Sequence, residues 1–129
     1  MTVDRDLGFW TKWLAPELGY VYQGAWAFYL PDAPVQGWKF HGYSPTFSDW
    51  QTVCPLIVSY CRDNAIPHKT LSHPDVWDRL EADSMQRGKT ITIYYSDTQA
   101  LGMHMAKLDR LLMNASLNLF LGEGSFVGI

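Results

Sequence analysis

The sequence predicts an α+β fold in which a single, mostly antiparallel β-sheet has about three helices packed against it. Segments rich in β-branched and aromatic residues alternate with segments whose apolar residues recur every three or four positions, in the order β-β-α-β-α-β-α-β. Aromatic residues make up 15 % of the chain, which suits either a β-rich core or a stacking surface. The length of 129 residues predicts one domain, spanning residues 1–129.

The first part of the chain is predicted to form a short helix followed by two strands. The helix covers residues 7–19 and ends near Gly19, since glycine readily adopts the conformation that terminates a helix. Residues 20–30 are rich in strand-forming residues, with Gly24 as a break, turn or bulge. After PDAP, a second strand runs through QGWKFHGYS, and the two strands form an antiparallel meander.

A long helix is predicted after this strand. Ser44 or Thr46 can cap it, Pro45 suits its first turn, and Pro55 should kink it. Its core-facing stripe consists of Phe47, Trp50, Cys54, Ile57 and Cys61. The two cysteines therefore share one buried helix face, and we interpret them as core thiols rather than a disulfide or a metal pair.

The second half of the chain alternates strands and helices. A strand over residues 65–71 precedes a short helix that Ser72 caps, and RGKTITIYYS is predicted as a strand because it is β-branched and aromatic throughout. Ser96 and Gln99 have the spacing of a capping box at the start of another long helix. The buried stripe of that helix comprises Leu101, Met105, Leu108 and Leu112. A last strand, GSFVGI, ends the sequence.

Composition and charge argue against several classes of function. The formal net charge of −3, without a basic stripe, argues against nucleic acid as a partner. No stretch approaches the roughly eighteen apolar residues of a membrane span, and the N-terminus lacks the apolar core of a signal peptide. We therefore expect a cytoplasmic protein without a membrane partner. The four histidines lack the spacing of a zinc site, so we expect no metal.

Three short segments place cations at or beside predicted strands. The pairs are Lys39 with His41, His68 with Lys69, and Arg87 with Lys89. Residues two apart in a strand share a face, so Lys39 and His41 point the same way. If the strands are neighbours, their cations converge into a pocket suited to phosphate; otherwise each is a solvated surface charge.

These residue types fit the elimination of phosphate from phosphoserine or phosphothreonine. A base must remove the Cα proton, an acid must protonate the leaving phosphate, and cations must hold its charge. Lysine acts as a base only when burial or neighbouring cations lower its pKa, and histidine is the natural acid near neutral pH. Lys69 as the base, His41 as the acid and Lys39 on the phosphate would fill these roles, and no metal is required.

The segments QGWKFH, AIPHKTL and RGKTITIYYSD, in this order and spacing, resemble the N-terminal lyase domain of class III and class IV lanthipeptide synthetases. The resemblance covers about residues 20–129. It implies a cofactor-free phosphoserine/phosphothreonine lyase that forms dehydroalanine or dehydrobutyrine in a ribosomally made (RiPP) precursor peptide. The bacterial phosphothreonine lyase effectors carry out the same β-elimination with a Lys-x-His pair and a separate lysine.

Carried over residue by residue, the resemblance implies a role for six side chains. It implies that the general acid is His41, the general base is Lys69 and a phosphate contact is Lys39. It also implies that phosphate or the charge building at the substrate carbonyl is stabilised by Lys89, together with Arg87 or Arg79. His68 has no clear counterpart in the family, and we expect it in a loop or at the rim of the site.

Members of the family continue past the last strand into an arginine-containing RYG-like segment and then into a kinase and a cyclase domain, whereas this sequence ends at Ile129. The expected partners are therefore a phosphorylated precursor peptide, a separate kinase and a cyclase. A truncated domain is an alternative, as is a non-catalytic module that binds a (phospho)peptide for a partner enzyme. A structural fragment with solvated strand cations is the third alternative.

Overall fold

The structure, a computed structural model, describes residues 7–31, 36–95, 98–114 and 120–127. Its strands are β1 (Val21–Gln23), β2 (Trp26–Tyr29), β3 (Gln36–Tyr43), β4 (His68–Leu71), β5 (Lys89–Tyr95) and β6 (Phe120–Val127). Its helices are α1 (Gly8–Trp13), α2 (Phe47–Asp63), α3 (Pro74–Glu81) and α4 (Thr98–Asn114). A 3-10 turn, Pro16–Leu18, follows α1.

The six strands form one antiparallel sheet in the order β1-β2-β4-β5-β3-β6. The predicted α+β class with a single antiparallel sheet is therefore confirmed, with α1 as a fourth helix in the described part of the chain. The order brings β4, β5 and β3 side by side, although β3 precedes β4 in the sequence. Within the described residues, no helix has both the length and the apolar character needed to cross a membrane.

The apolar core lies between the helices and one face of the sheet, the face on which β5 carries Ile91, Ile93 and Tyr95. The helix α2 contacts this face through Trp50 and Thr70, and α4 does so through His104 and Tyr95. The helices α1 and α3 pack on α2 through Trp10 with Trp50 and Trp77 with Phe47. The predicted stripe of α2 is confirmed, because all five of its side chains are buried, and both cysteines are free thiols as predicted. The opposite face of the sheet carries Lys69, Thr92 and His41.

Trp50 is the centre of the aromatic part of this core. Its ring centroid lies 5.1 to 5.4 Å from those of Phe9, Trp10 and Phe47. Its indole Nε1 donates to Thr70 Oγ1 at 3.0 Å, which satisfies the buried N–H. These aromatic residues thus belong to the core on the helical side of the sheet.

Two elements near the N-terminus are shorter than predicted. The predicted helix over residues 7–19 breaks before Pro16, because proline has no N–H to continue the helical hydrogen bonds. Gly19 ends the following turn in the left-handed region, with φ +101°. The predicted strand over 20–30 is a hairpin of β1 and β2, and Gly24, with φ +59°, allows the tight turn between them.

The helix caps agree with the predictions only in part. Thr46 caps α2, with its Oγ1 accepting the Asp49 N–H at 3.0 Å, whereas Ser44 is buried and Pro45 precedes the cap instead of lying in the first turn. Ser72 does not cap α3, since its hydroxyl donates to the carbonyl of Gly24 at 3.2 Å. The hydroxyl of Ser44 lies 3.2 Å from that of Thr90, and that of Ser72 bonds to Gly24. Both hydroxyls thus bond to residues far away in the sequence, which the local spacing does not predict.

The last two elements lie partly outside the described residues. Ser96 of the predicted capping box is outside them, and so are the last two residues of the predicted strand GSFVGI. That strand begins earlier than predicted, at Phe120, because β6 pairs with β3 along its whole length from Gln36 to Tyr43.

Candidate active site

A row of paired residues crosses the face of the sheet opposite the helices. Phe28 pairs with Lys69, Lys69 with Thr92, and Thr92 with His41, and directly paired residues share a face. We call these four residues the Lys69–His41 row, and the face that carries them the cationic face. Lys69 and His41 are two strands apart, which corresponds to roughly 10 Å between their backbones.

Two further lysines lie on either side of this row. Lys39 precedes His41 by two residues in β3 and therefore shares its face. Strict alternation along β5 would put Lys89 on the helical face with Ile91, but the register shifts at the end of β3 and Lys89 pairs with Tyr43. The extra residue of this β-bulge re-aims Lys89 toward the cationic face.

His41 is half-buried, and its Nδ1 lies 3.1 Å from the hydroxyl of Thr92, which is only 2 % exposed. The pKa of His41 is lowered to about 4, first because burial disfavours the imidazolium and then because nearby cations repel it. In order of effect, these cations are Lys39, Lys89 and Lys69. The imidazole is therefore neutral in the free protein at pH 7.

Lys69 lies among aromatic rings on the same face. Its ammonium nitrogen is 4.5 Å from the ring centroid of Trp26 and 5.6 Å from that of Phe28. Burial lowers the pKa of Lys69, and the charge of Lys39 lowers it further. Burial and Lys39 therefore raise the neutral fraction of Lys69 at a given pH, whereas contact with the two rings favours the ammonium.

The cationic face is suited to an oxyanion. Three lysines and an imidazole lie around one row, and among the residues that the structure describes each neighbouring charge that acts on His41 is positive. Ammonium and imidazole N–H groups form charge-assisted hydrogen bonds to phosphate oxygens. Among the described residues, no group of three or more His, Cys, Asp or Glu side chains could hold a metal ion.

Comparison with known families shows to which family the chain belongs. A model of the RamC N-terminal domain matches residues 10–118, a span that includes Lys39, Lys89 and the whole Lys69–His41 row. The chain belongs to this family. RamC is a lanthipeptide synthetase-related protein, so the predicted link to lanthipeptide and RiPP biosynthesis is confirmed at the level of the family. No curated protein matches the chain.

The two arginines named in the sequence analysis do not lie on the cationic face. Arg79 is exposed on α3, a helix whose buried side packs against the core on the helical side of the sheet. Arg87 is exposed in the turn before β5, where its Nε donates to the carbonyl of Glu81 at 3.1 Å. Within the described ranges of this RamC-family domain, the cations that act on His41 are all lysines.

His68 is not a rim histidine, as the sequence analysis expected. Its side chain is fully buried on the helical face, stacked on Tyr29 with ring centroids 5.2 Å apart. Its two ring nitrogens lie 2.7 Å from Tyr20 Oη and 2.8 Å from the carbonyl of Ile66. Strand alternation could have predicted this position, since His68 and Lys69 are adjacent in β4 and must lie on opposite faces of the sheet.

Three residues of the cationic face were not singled out in the sequence: Trp26, Phe28 and Thr92. Their positions depend on strand order, because Thr92 meets His41 and the two aromatic rings meet Lys69 only through cross-strand pairing.

Proposed function

We propose that this RamC-family domain is a carbon–oxygen lyase that eliminates phosphate from phosphoserine or phosphothreonine in a ribosomally made precursor peptide. The observation that carries the proposal is the Lys69–His41 row, with a lysine of lowered pKa and a histidine two strands apart on one face. Lys39 and Lys89 lie on either side of it. The products would be dehydroalanine or dehydrobutyrine and inorganic phosphate.

The reaction divides into three tasks. Neutral Lys69 accepts the Cα proton, and the electron pair of that bond forms the Cα=Cβ double bond as the Cβ–O bond breaks. His41 donates a proton from Nε2 to the leaving phosphate oxygen. Lys39 and Lys89 pair with the phosphate charge throughout, so the negative charge that develops meets cations already in position.

The substrate itself would prepare His41 as an acid. In the free protein, burial and three lysines keep its imidazole neutral at pH 7. A bound phosphate carries close to two negative charges, pairs with the lysines and gives the Nε2 proton an acceptor. The pKa of His41 therefore rises when substrate binds, and the acid forms only in the complex.

Thr92 fits both protonation states of His41. Its hydroxyl can donate to Nδ1 of the neutral ring, or accept from the Nδ1–H of the imidazolium. In both cases Nε2 carries the proton that faces the substrate. We therefore assign Thr92 a positioning role for His41.

Thr92→Val should lower kcat/KM for elimination roughly three- to ten-fold, the loss expected for one hydrogen bond. It should also shift the limb of the pH–rate profile that reports His41, because valine can neither donate to Nδ1 nor accept from it. Thr92→Ser restores the hydroxyl and should restore both the rate and the profile. An unshifted profile in Thr92→Val would contradict the positioning role.

A binding module is the second candidate, and the neutral state of His41 in the free protein favours it, because the N–H of a neutral imidazole is too weak an acid to protonate a leaving group. In this case the lysines would hold a phosphopeptide for a partner enzyme, and no bond would break. In both cases a kinase would supply the phosphorylated peptide. We place this encounter in the cytoplasm, with a cyclase as the consumer of a dehydrated product.

Mass spectrometry of phosphoserine and phosphothreonine peptides incubated with the chain distinguishes the candidates. The lyase should remove the mass of one phosphoric acid per site and release an equal amount of inorganic phosphate. His41→Gln should slow this loss roughly 10²-fold or more, the usual contribution of a general acid. Arg79→Gln is the matched control, since it removes an exposed charge from α3 and should leave the rate unchanged.

Two other outcomes decide against the lyase. Intact peptide that nevertheless binds, with affinity lost in Lys39→Gln, would establish the binding module. Intact peptide without binding would reject both candidates.

A further inference from the structure

A cavity of about 230 Å³ lies at the β1–β2 end of the sheet. It is lined by Gly19, Val21, Phe28, Tyr29, Leu30 and Pro31, none of which carries a charge. Sites for drug-sized ligands occupy roughly 300–1,000 Å³, so this cavity is better matched to a single apolar side chain than to a whole small molecule.

The cavity is continuous with the Lys69–His41 row. Val21 pairs with Phe28, which extends the row by one strand to β1. Phe28 belongs to both sites, because its ring lines the cavity and lies 5.6 Å from the ammonium nitrogen of Lys69. Leu30 follows Phe28 by two residues, and both Val21 and Leu30 are exposed, by 66 % and 39 %. Clustered exposed apolar side chains beside a polar site are typical of a binding surface.

The spacing of the strands sets the distance between the two sites. A phosphate held between Lys69 and His41 lies over Thr92 on β5, and the cavity lies between β1 and β2. That separation is two and a half strands, or roughly 12 Å at about 4.8 Å per strand. An extended peptide advances about 3.3 Å per residue, so four residues cover roughly 13 Å. Side chains four apart also point to the same side of an extended chain.

We propose that this cavity is a specificity subsite for an apolar side chain of the same peptide, four residues from the phosphorylated residue. The peptide crosses the strands from the lysines to the β1–β2 hairpin. The proposal rests on the proposed function for the placement of the phosphate, and it adds a sequence requirement to the substrate class: a phosphorylated residue and a residue such as leucine at a spacing of four.

A peptide series tests this spacing directly. One phosphoserine lies in a Gly/Asn chain, and a single leucine is moved from two to six residues away on either side. The rate of elimination and the Kd of each peptide are measured. We expect KM and Kd to be roughly ten-fold lower for leucine at the fourth residue on one side than for the leucine-free peptide, as burial of one apolar side chain predicts.

Variants of the cavity separate specificity from chemistry. Val21→Asn and Leu30→Asn should abolish the preference for leucine while leaving kcat/KM for the leucine-free peptide unchanged. Met85→Asn is the matched control, because Met85 is exposed by 73 % in the turn after α3 and does not line the cavity. It should retain the preference.

The possible failures are distinguishable. Elimination without dependence on leucine position, or with a preference at another spacing, would overturn the subsite and leave the lyase intact. Binding with the spacing-of-four preference but without elimination would support the subsite and reject the lyase. Neither binding nor elimination would overturn both proposals.

Discussion

Lys69→Arg should abolish elimination while leaving the affinity for phosphopeptide within a few-fold of the wild type. Arginine keeps a positive charge that can stack on Trp26 and Phe28, so the electrostatic and ring contacts of position 69 persist. A guanidinium does not deprotonate in proteins and so cannot accept the Cα proton. Loss of a general base lowers the rate by roughly 10²–10⁴-fold.

The matched control is Lys39→Arg. Lys39 is proposed to hold phosphate charge, a task for which protonation is an advantage, so arginine at position 39 should retain both binding and turnover. Turnover is measured by mass spectrometry under saturating peptide, and Kd by titration with the same peptide. Full activity in Lys69→Arg would show that Lys69 is only a phosphate contact, and the base would have to be sought elsewhere on the cationic face.

Alternation within single strands could be predicted from the sequence, and it accounts for the part of the site that was anticipated. Lys39 and His41 are two residues apart in one strand, and their shared face follows from this spacing alone. The buried stripe of α2 is equally local, because a helix repeats its faces every three to four residues. Periodicity therefore predicted the elements and the direction of their side chains.

Pairing between distant strands could not be predicted in this way. The contact between His41 and Thr92 joins residues 51 positions apart, and it exists because β5 lies between β4 and β3. The position of Lys89 depends on a bulge in the register of β5 against β3, which reverses the face expected from alternation. Strand order and register are properties of the whole sheet, and no window of the sequence contains them.

Proximity in sequence was misleading for Arg87 and His68. Arg87 is two residues from Lys89, but it precedes the strand and bonds to the carbonyl that ends α3. His68 is adjacent to Lys69, and for that reason lies on the opposite face, in the core. In a strand, a neighbour in sequence is the residue least able to share a site.

The buried position of His68 has a consequence for stability. Acidification from pH 7 to pH 4 should lower the free energy of unfolding by about 3 kcal/mol through this side chain alone. A carbonyl can only accept, so His68 Nδ1 carries the proton that is donated to Ile66, and Nε2 accepts from the hydroxyl of Tyr20. Protonation of Nε2 would reverse the direction of the bond with Tyr20 and would place an imidazolium in a buried site.

The pKa of His68 in the folded protein is lowered to about 4, mainly by burial. The bond to Ile66 opposes this lowering, and the nearby charge of Arg62 adds to it. Between pH 6.5 and 4 the unfolded chain binds a proton that the folded chain does not. The free energy of unfolding is therefore highest above about pH 6.5 and falls as the pH is lowered to about 4. Below that pH, His68 causes no further change. The pKa of His68 is 6.5 in the unfolded chain and about 4 in the folded protein. This difference, at about 1.36 kcal/mol per pH unit, gives the expected change in the free energy of unfolding.

Urea unfolding across this pH range measures the effect in the wild type and in His68→Gln. Glutamine does not titrate, and its carbonyl oxygen can still accept from Tyr20. The variant loses the imidazole ring that stacks on Tyr29 and should therefore be less stable at pH 7. Its free energy of unfolding should depend less on pH, by about 3 kcal/mol between pH 7 and pH 4. Tyr20→Phe is the control, since it removes the hydrogen bond but leaves His68 buried and titrating, and should keep the dependence. Because burial also lowers the pKa of His41, some dependence will remain in His68→Gln. An unchanged dependence in His68→Gln would mean that His68 is not the group that resists protonation, and that the acid sensitivity of the fold arises on the cationic face.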